Sequence, residues 1–300
     1  MAVPAEGAVA LMIGLVAIAP IGWAARRARG TTMVAPCCWA AASVAVLTAV
    51  EACRAWSGAG HEVSWAHARY LAAITSFAPI MSVLGAKRPQ DRAWQFIVLS
   101  LLIVLALPSA EALVMRRGQP PTSHAARQAF LGILVAMGLF SYLPTRYMPA
   151  SALFSGGQLS LLAPQWPWSP MADWPRTHQL GCALILGAIL AAWLTPRRNV
   201  AGDPLEGVIA DFRDAYGAVW GLRIIERVNA AANQYAWPIR LTWSGFVRHD
   251  GTNATSCEEP IIADETRPAV ERVILGLLWR FVSKEWTARI SPIADDSPQS

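Results

Sequence analysis

Six stretches of this chain are apolar for long enough to cross a bilayer: 7–25, 30–53, 70–86, 93–115, 128–145 and 179–196. A helix through a hydrocarbon core of ~30 Å needs about 20 mostly apolar residues. The runs lack the two-residue alternation of barrel strands, and only helices and closed barrels satisfy their backbone groups in lipid. The pattern therefore predicts an all-α polytopic membrane domain over residues 1–198. A further stretch, 150–164, is uncharged and moderately apolar. It reads as a possible seventh span or a re-entrant segment, broken at Gly156-Gly157.

The pattern changes after residue 198. Leu205, Val208, Ile209, Phe212, Tyr216, Val219 and Leu222 follow helical spacing, with Asp211, Arg213, Asp214, Arg223, Glu226 and Arg227 among the polar positions. Asp203-Pro204 supplies an N-cap and a first helical residue. Trp237-Pro238 should end that helix, because proline disfavours helix in the residue before it. Residues 239–247 then read as one short extended piece and 249–267 as a polar loop. A second amphipathic helix carries Val270, Val273, Ile274, Leu277, Leu278 and Phe281 on one face. The expected organisation is a polar, mostly helical C-terminal domain over 199–290, followed by a disordered tail over 291–300.

Composition sharpens this division. The chain is 54% hydrophobic and only 15% charged, against about 25% charged in an ordinary soluble domain. Residues 1–196 carry a net charge of +7 and residues 197–300 a net of −2. The basic excess thus belongs to the loops between spans, where arginine meets anionic headgroups. A nucleic-acid partner would call for a basic soluble face, so none is expected. Trp23, Trp56, Trp65, Trp94 and Trp193 fall near span ends, as amphipathic rings should. Nothing basic precedes the first run, while Arg26, Arg27 and Arg29 follow it. That is the pattern of a retained first helix with its N-terminus outside. Six spans leave the basic loop residues almost evenly divided between the two sides. A seventh gathers Arg26, Arg27, Arg29, Lys87, Arg88, Arg92, Arg146, Arg197 and Arg198 on the inside with the tail. A cytoplasmic tail is therefore preferred.

No nucleotide loop, nucleophile elbow or HExxH motif is present. The five cysteines show no CxxC spacing. Ionisable groups at membrane depth are costly and usually kept for use. Glu51, with Arg54 three residues on, and Glu111, with Arg116 and Arg117 beyond it, are therefore the candidate intramembrane polar site. The bland alternative is an interfacial carboxylate paired with its neighbouring arginine. His61, His67 and His124 lie on loops that share a side in any alternating topology. They are candidate haem or metal ligands, with solvated loop histidines as the ordinary reading. No cofactor is expected.

Two stretches resemble a group of bacterial multi-pass membrane proteins with no assigned activity. One is Asp211–Asn229 (DFRDAYGAVWGLRIIERVN) with Trp237-Pro238 and Trp243-Ser-Gly-Phe; the other is Ser82–Pro89 (SVLGAKRP). The resemblance covers most of the chain and implies no catalytic residue. The expectation is an integral protein of the bacterial inner membrane, without enzymatic activity, whose tail anchors or organises a protein partner through its helices. The alternatives are a small-solute or proton-coupled transporter using Glu51 and Glu111, and a haem-handling or redox protein.

Overall fold

A computed structural model describes residues 5–57, 61–115, 118–166, 169–171, 174, 176–196, 203–248 and 262–290. The chain divides into two compact units. The first comprises Met1–Arg29, Met33–Ala86 and Gln90–Pro196. The second comprises Arg197–Ser300 together with two short loop segments, Gly30–Thr32 and Lys87–Pro89.

The first unit is a bundle of α1 (Ala5–Arg27), α2 (Val34–Ser57), α3 (Glu62–Thr75), α4 (Ala78–Leu84), α5 (Asp91–Met115), α6 (Ala125–Tyr142), α7 (Met148–Leu162) and α8 (Thr177–Leu194). Among the described residues, α2, α5, α6 and α8 are long and apolar enough to cross a membrane. Their outer faces stay apolar. Phe96, Ile103, Val114, Ile133, Phe140 and Leu194 are between 59% and 73% exposed. A contiguous exterior of this kind is what lipid solvates and water does not. The interior is built on Tyr70, Phe77, Met81, Leu105, Leu131 and Leu162.

The predicted span 70–86 is two helices rather than one, broken at Ser76-Phe77. A break inside an apolar bundle leaves carbonyls to satisfy. Gln158, fully buried on α7, donates through Nε2 to the Ser76 carbonyl at 3.2 Å. The Tyr70 hydroxyl also donates to a backbone carbonyl, that of Leu105 on α5, at 2.8 Å. Trp94 does not turn its N–H to the interface. It donates to the Met81 carbonyl at 2.7 Å.

The stretch 150–164 is not broken at Gly156-Gly157; α7 runs through both. These glycines let helices approach. A Cβ on Gly157 would lie 2.8 Å from Ile185 Cγ1 and 3.0 Å from the Gly181 carbonyl oxygen. Small residues of this kind bring helix backbones together inside membranes.

In the second unit, α9 (Pro204–Gln234) begins as expected, with the Asp203 carboxylate accepting from the Leu205 N–H at 2.9 Å. The same carboxylate pairs with Arg267 at 2.5 Å. Asp203→Ala removes cap and ion pair together. A lost cap costs about 0.5–2 kcal/mol, so the second unit should unfold at lower denaturant, followed by tryptophan fluorescence of the full chain.

The helical face expected for α9 holds only to Gly217, whose φ of 78° interrupts the helix. Beyond it the buried set shifts to Trp220, Ile224, Val228 and Ala232, and Leu222 is 56% exposed. Arg213 and Asp214, expected among the polar positions, are buried just before the kink. The Arg213 guanidinium donates to the Trp243 carbonyl and lies 4.7 Å from the Trp243 ring centroid. Residues 239–247 form a hairpin rather than a single extended piece. In it β1 (Ile239–Leu241) pairs antiparallel with β2 (Phe246–Arg248). Asn229 fastens it to α9, accepting from the Leu241 N–H at 2.7 Å and donating to its carbonyl at 2.9 Å.

The remaining helices are α10 (Arg267–Leu278), which buries Val270, Ile274 and Leu278, and the short α11 (Lys284–Ile290). The polar stretch 249–261 and the expected disordered tail 291–300 lie outside the described residues.

The two loop segments are working parts of this second core. The Thr32 N–H donates to the Phe281 carbonyl at 3.0 Å, Ser283 N–H to the Gly30 carbonyl at 2.8 Å, and Arg88 N–H to the Arg280 carbonyl at 2.8 Å. The Tyr216 hydroxyl lies 3.1 Å from both Thr32 Oγ1 and the Phe281 carbonyl, within a cluster of Phe212, Trp220 and Phe281. Burial pushes the Tyr216 hydroxyl up to about 12, against about 10 for a free tyrosine. The fold favours the neutral phenol. That contribution is complete below about pH 10 and is lost as pH rises through about 12. Unfolding midpoints measured across that window should fall for the native chain and stay flatter for Tyr216→Phe.

Candidate functional site

The last turns of α2, the middle of α3 and the first turn of α8 meet around one carboxylate. Glu51 follows the largely apolar stretch Ala45–Val50 and is only 11% exposed. Arg69 Nε donates to its Oε1 at 2.9 Å and Arg69 Nη2 to its Oε2 at 3.1 Å, a two-pronged clamp. Arg54, one turn further along α2, brings its Nε to 3.5 Å of Oε2. His178 approaches from α8 with Nδ1 2.9 Å from Oε1.

This hydrogen bond assigns a proton to His178 Nδ1. Among the described residues His178 Nε2 is buried and has no hydrogen-bond partner. Cys182, one turn on, places Sγ 3.8 Å from the same Nδ1. A thiol–imidazole–carboxylate relay needs acid and nucleophile on opposite ring nitrogens. Here both face one nitrogen, so the trio has the composition of a nucleophilic triad without its geometry.

Beside the carboxylate lies a cavity of about 570 Å³ between α1, α2 and α8. Glu51, Arg54, Arg176 and Gln179 form its polar end. Leu47, Ile185, Leu186 and Ile189 are among the apolar residues lining the rest.

Of the residues singled out in the sequence, Glu51 and Arg54 thus stand together at a cavity. Glu111 does not join them: it is exposed on α5 and outside that lining, and Arg116 and Arg117 lie outside the described residues. His61 and His124 are exposed ahead of α3 and α6 respectively. His67 is buried, its Nε2 3.1 Å from the Gln119 carbonyl. Among the described residues no group of three or more His, Cys, Asp or Glu side chains is placed to hold a metal ion.

Arg69 and His178 are the partners that sequence reasoning missed. A signal was present: each stands one residue outside a predicted span, 70–86 and 179–196, at the level that Glu51 occupies at the end of its own.

No protein-family model, no curated protein and no solved structure matches this chain. What fold and composition define is therefore a class: a mostly helical protein with four described helices long and apolar enough to span a membrane.

Proposed function

We propose that this is a multi-pass protein of the bacterial cytoplasmic (inner) membrane that carries out no reaction of its own. Its C-terminal domain lies on the cytoplasmic side and holds a protein partner at the membrane. The observation that carries this reading is the make-up of the second unit, which takes Gly30–Thr32 and Lys87–Pro89 into the same compact body as the tail. Segments of one small domain share one face of a membrane. Between residues 89 and 197 the chain must then cross an even number of times; α5, α6 and α8 are long and apolar enough to cross, so α7 makes the fourth crossing.

That count favours seven crossings over six. The 15 residues of α7 span about 22 Å, a mismatch that a locally thinned bilayer accommodates. The shared face then carries Arg26, Arg27, Arg29, Lys87, Arg88, Arg92 and Arg146, and the positive-inside rule makes it cytoplasmic.

The test combines topology and capture. A fluorescent-protein fusion at the C-terminus should fluoresce and a periplasmic phosphatase fusion there should be inactive. Photo-crosslinkers at Leu222 and Trp279, both 56% exposed on the C-terminal domain, should each yield one discrete adduct in cells. An active phosphatase overturns the sidedness; the absence of any adduct overturns the partner-holding role.

The cavity at Glu51 favours a second reading, a small-solute or proton-coupled transporter. In that case Glu51→Gln abolishes a flux while leaving membrane insertion intact.

A further inference from the structure

We propose that the cavity between α1, α2 and α8 is a site for an anionic phospholipid, with one acyl chain in the apolar slot and the head phosphate between Arg54 and Arg176. It rests on the bundle lying in a bilayer and is independent of what the C-terminal domain holds.

Three observations carry it. The first is dimension. From Gln179 at the polar end to Ile189 at the apolar end, the slot follows ten residues of α8, or about 15 Å at 1.5 Å per residue. That is half of a hydrocarbon core of ~30 Å: the depth of one leaflet. The second is polarity. Charged and amide groups are confined to one end, where α2 finishes and α8 starts, and the opposite end is aliphatic. A solute polar along its length would bury unpartnered groups in the aliphatic end, at a desolvation cost. An amphiphile wants this segregation.

The third is charge. Glu51 is already engaged by Arg69 on both oxygens and by His178. Arg54, which approaches the same carboxylate, and Arg176 both line the polar end of the slot. Two arginines at one end of an otherwise apolar slot suit a phosphate, which guanidinium groups bind through paired donors. The volume of about 570 Å³ falls within the range of about 300–1,000 Å³ of small-molecule sites.

Cys182 lines the slot and reports its occupancy. The full chain, purified in a neutral detergent, is alkylated with N-ethylmaleimide, and modification of Cys182 is followed by peptide mass spectrometry. Dioleoyl phosphatidylglycerol is titrated against dioleoyl phosphatidylcholine, and inorganic phosphate is run alone. Phosphatidylglycerol should slow Cys182 alkylation at concentrations where phosphatidylcholine does not.

Arg176→Gln removes an exposed side chain at the start of α8 and should weaken that protection about tenfold, the worth of one charge-assisted contact. Ala183→Phe, at a small exposed residue lining the slot, should abolish protection whatever the head group. Equal protection by both lipids means ordinary annular lipid and overturns the proposal. So does full protection by inorganic phosphate alone, which would make this a site for a soluble anion. Unchanged protection in Arg176→Gln overturns it as well.

Discussion

Replacing Glu51 by glutamine should be the most damaging single change of charge in the membrane unit. Glu51 is the acceptor on which Arg69, Arg54 and His178 converge. An amide keeps the shape and one acceptor oxygen, but removes the charge that Arg69 clamps on both oxygens and that Arg54 approaches. Removing one partner of a buried ion pair costs about 3–5 kcal/mol. Here the lower end, about 3 kcal/mol, is expected, because Arg69 and Arg54 retain 22% and 25% exposure and so keep some water.

The order of effects is as informative as their size. Arg69→Gln should cost less than Glu51→Gln, since Arg54 and His178 stay to partner the carboxylate. The double variant should cost less than the sum of the singles. Thermal midpoints in detergent, read as the fraction still monodisperse on size-exclusion chromatography, would establish the order. Equal losses for both single variants would contradict the convergent arrangement.

The second large effect concerns two adjacent glycines that should respond in opposite ways. At Gly157 a new Cβ meets Ile185 Cγ1 at 2.8 Å, the Gly181 carbonyl oxygen at 3.0 Å and the Ile185 nitrogen at 3.2 Å. Two of those three are backbone atoms of α8 and cannot rotate away. Gly157→Val must separate the helices, and overpacking of this kind costs about 1–3 kcal/mol, occasionally more. At Gly156 the nearest atom is Leu184 Cδ1 at 3.8 Å, an ordinary contact. There Gly156→Ala adds helix propensity worth up to about 1 kcal/mol and should be neutral or stabilising. The same thermal assay separates the two. A loss at both positions would mean that the chain needs flexibility at this point rather than close approach.

That pair of glycines also marks what sequence could and could not supply. Apolar runs found the four described helices that are long and apolar enough to cross a membrane, because lipid demands about 20 apolar residues wherever a helix crosses, a local and forgiving signal. The cap at Asp203 and the stop before Pro238 were legible for the same reason: each is decided within a few residues. The consecutive glycines read as a break because glycine weakens an isolated helix. Their use in contact with α8 depends on a neighbour more than twenty residues away in the chain.

Register in α9 failed at Gly217 for a related reason. A helical wheel assumes unbroken periodicity, and one residue at φ 78° turns the wheel for everything after it. At the candidate site, Glu51 and Arg54 were legible because they share a helix. Arg69 and His178 come from two other helices, and only the folded bundle brings them to the same carboxylate.

The loop segments 30–32 and 87–89 give the chain an order of completion. Both leave the ribosome long before Tyr216, Arg280, Phe281 and Ser283, the residues that later receive them. These loops therefore wait with open backbone groups while the helices between are made, and the domain closes only once Arg280, Phe281 and Ser283 have followed. A chain cut short before Phe281 would display those loops bare. Closure of this domain thus hides backbone that a chain truncated before Phe281 would expose to surveillance proteases.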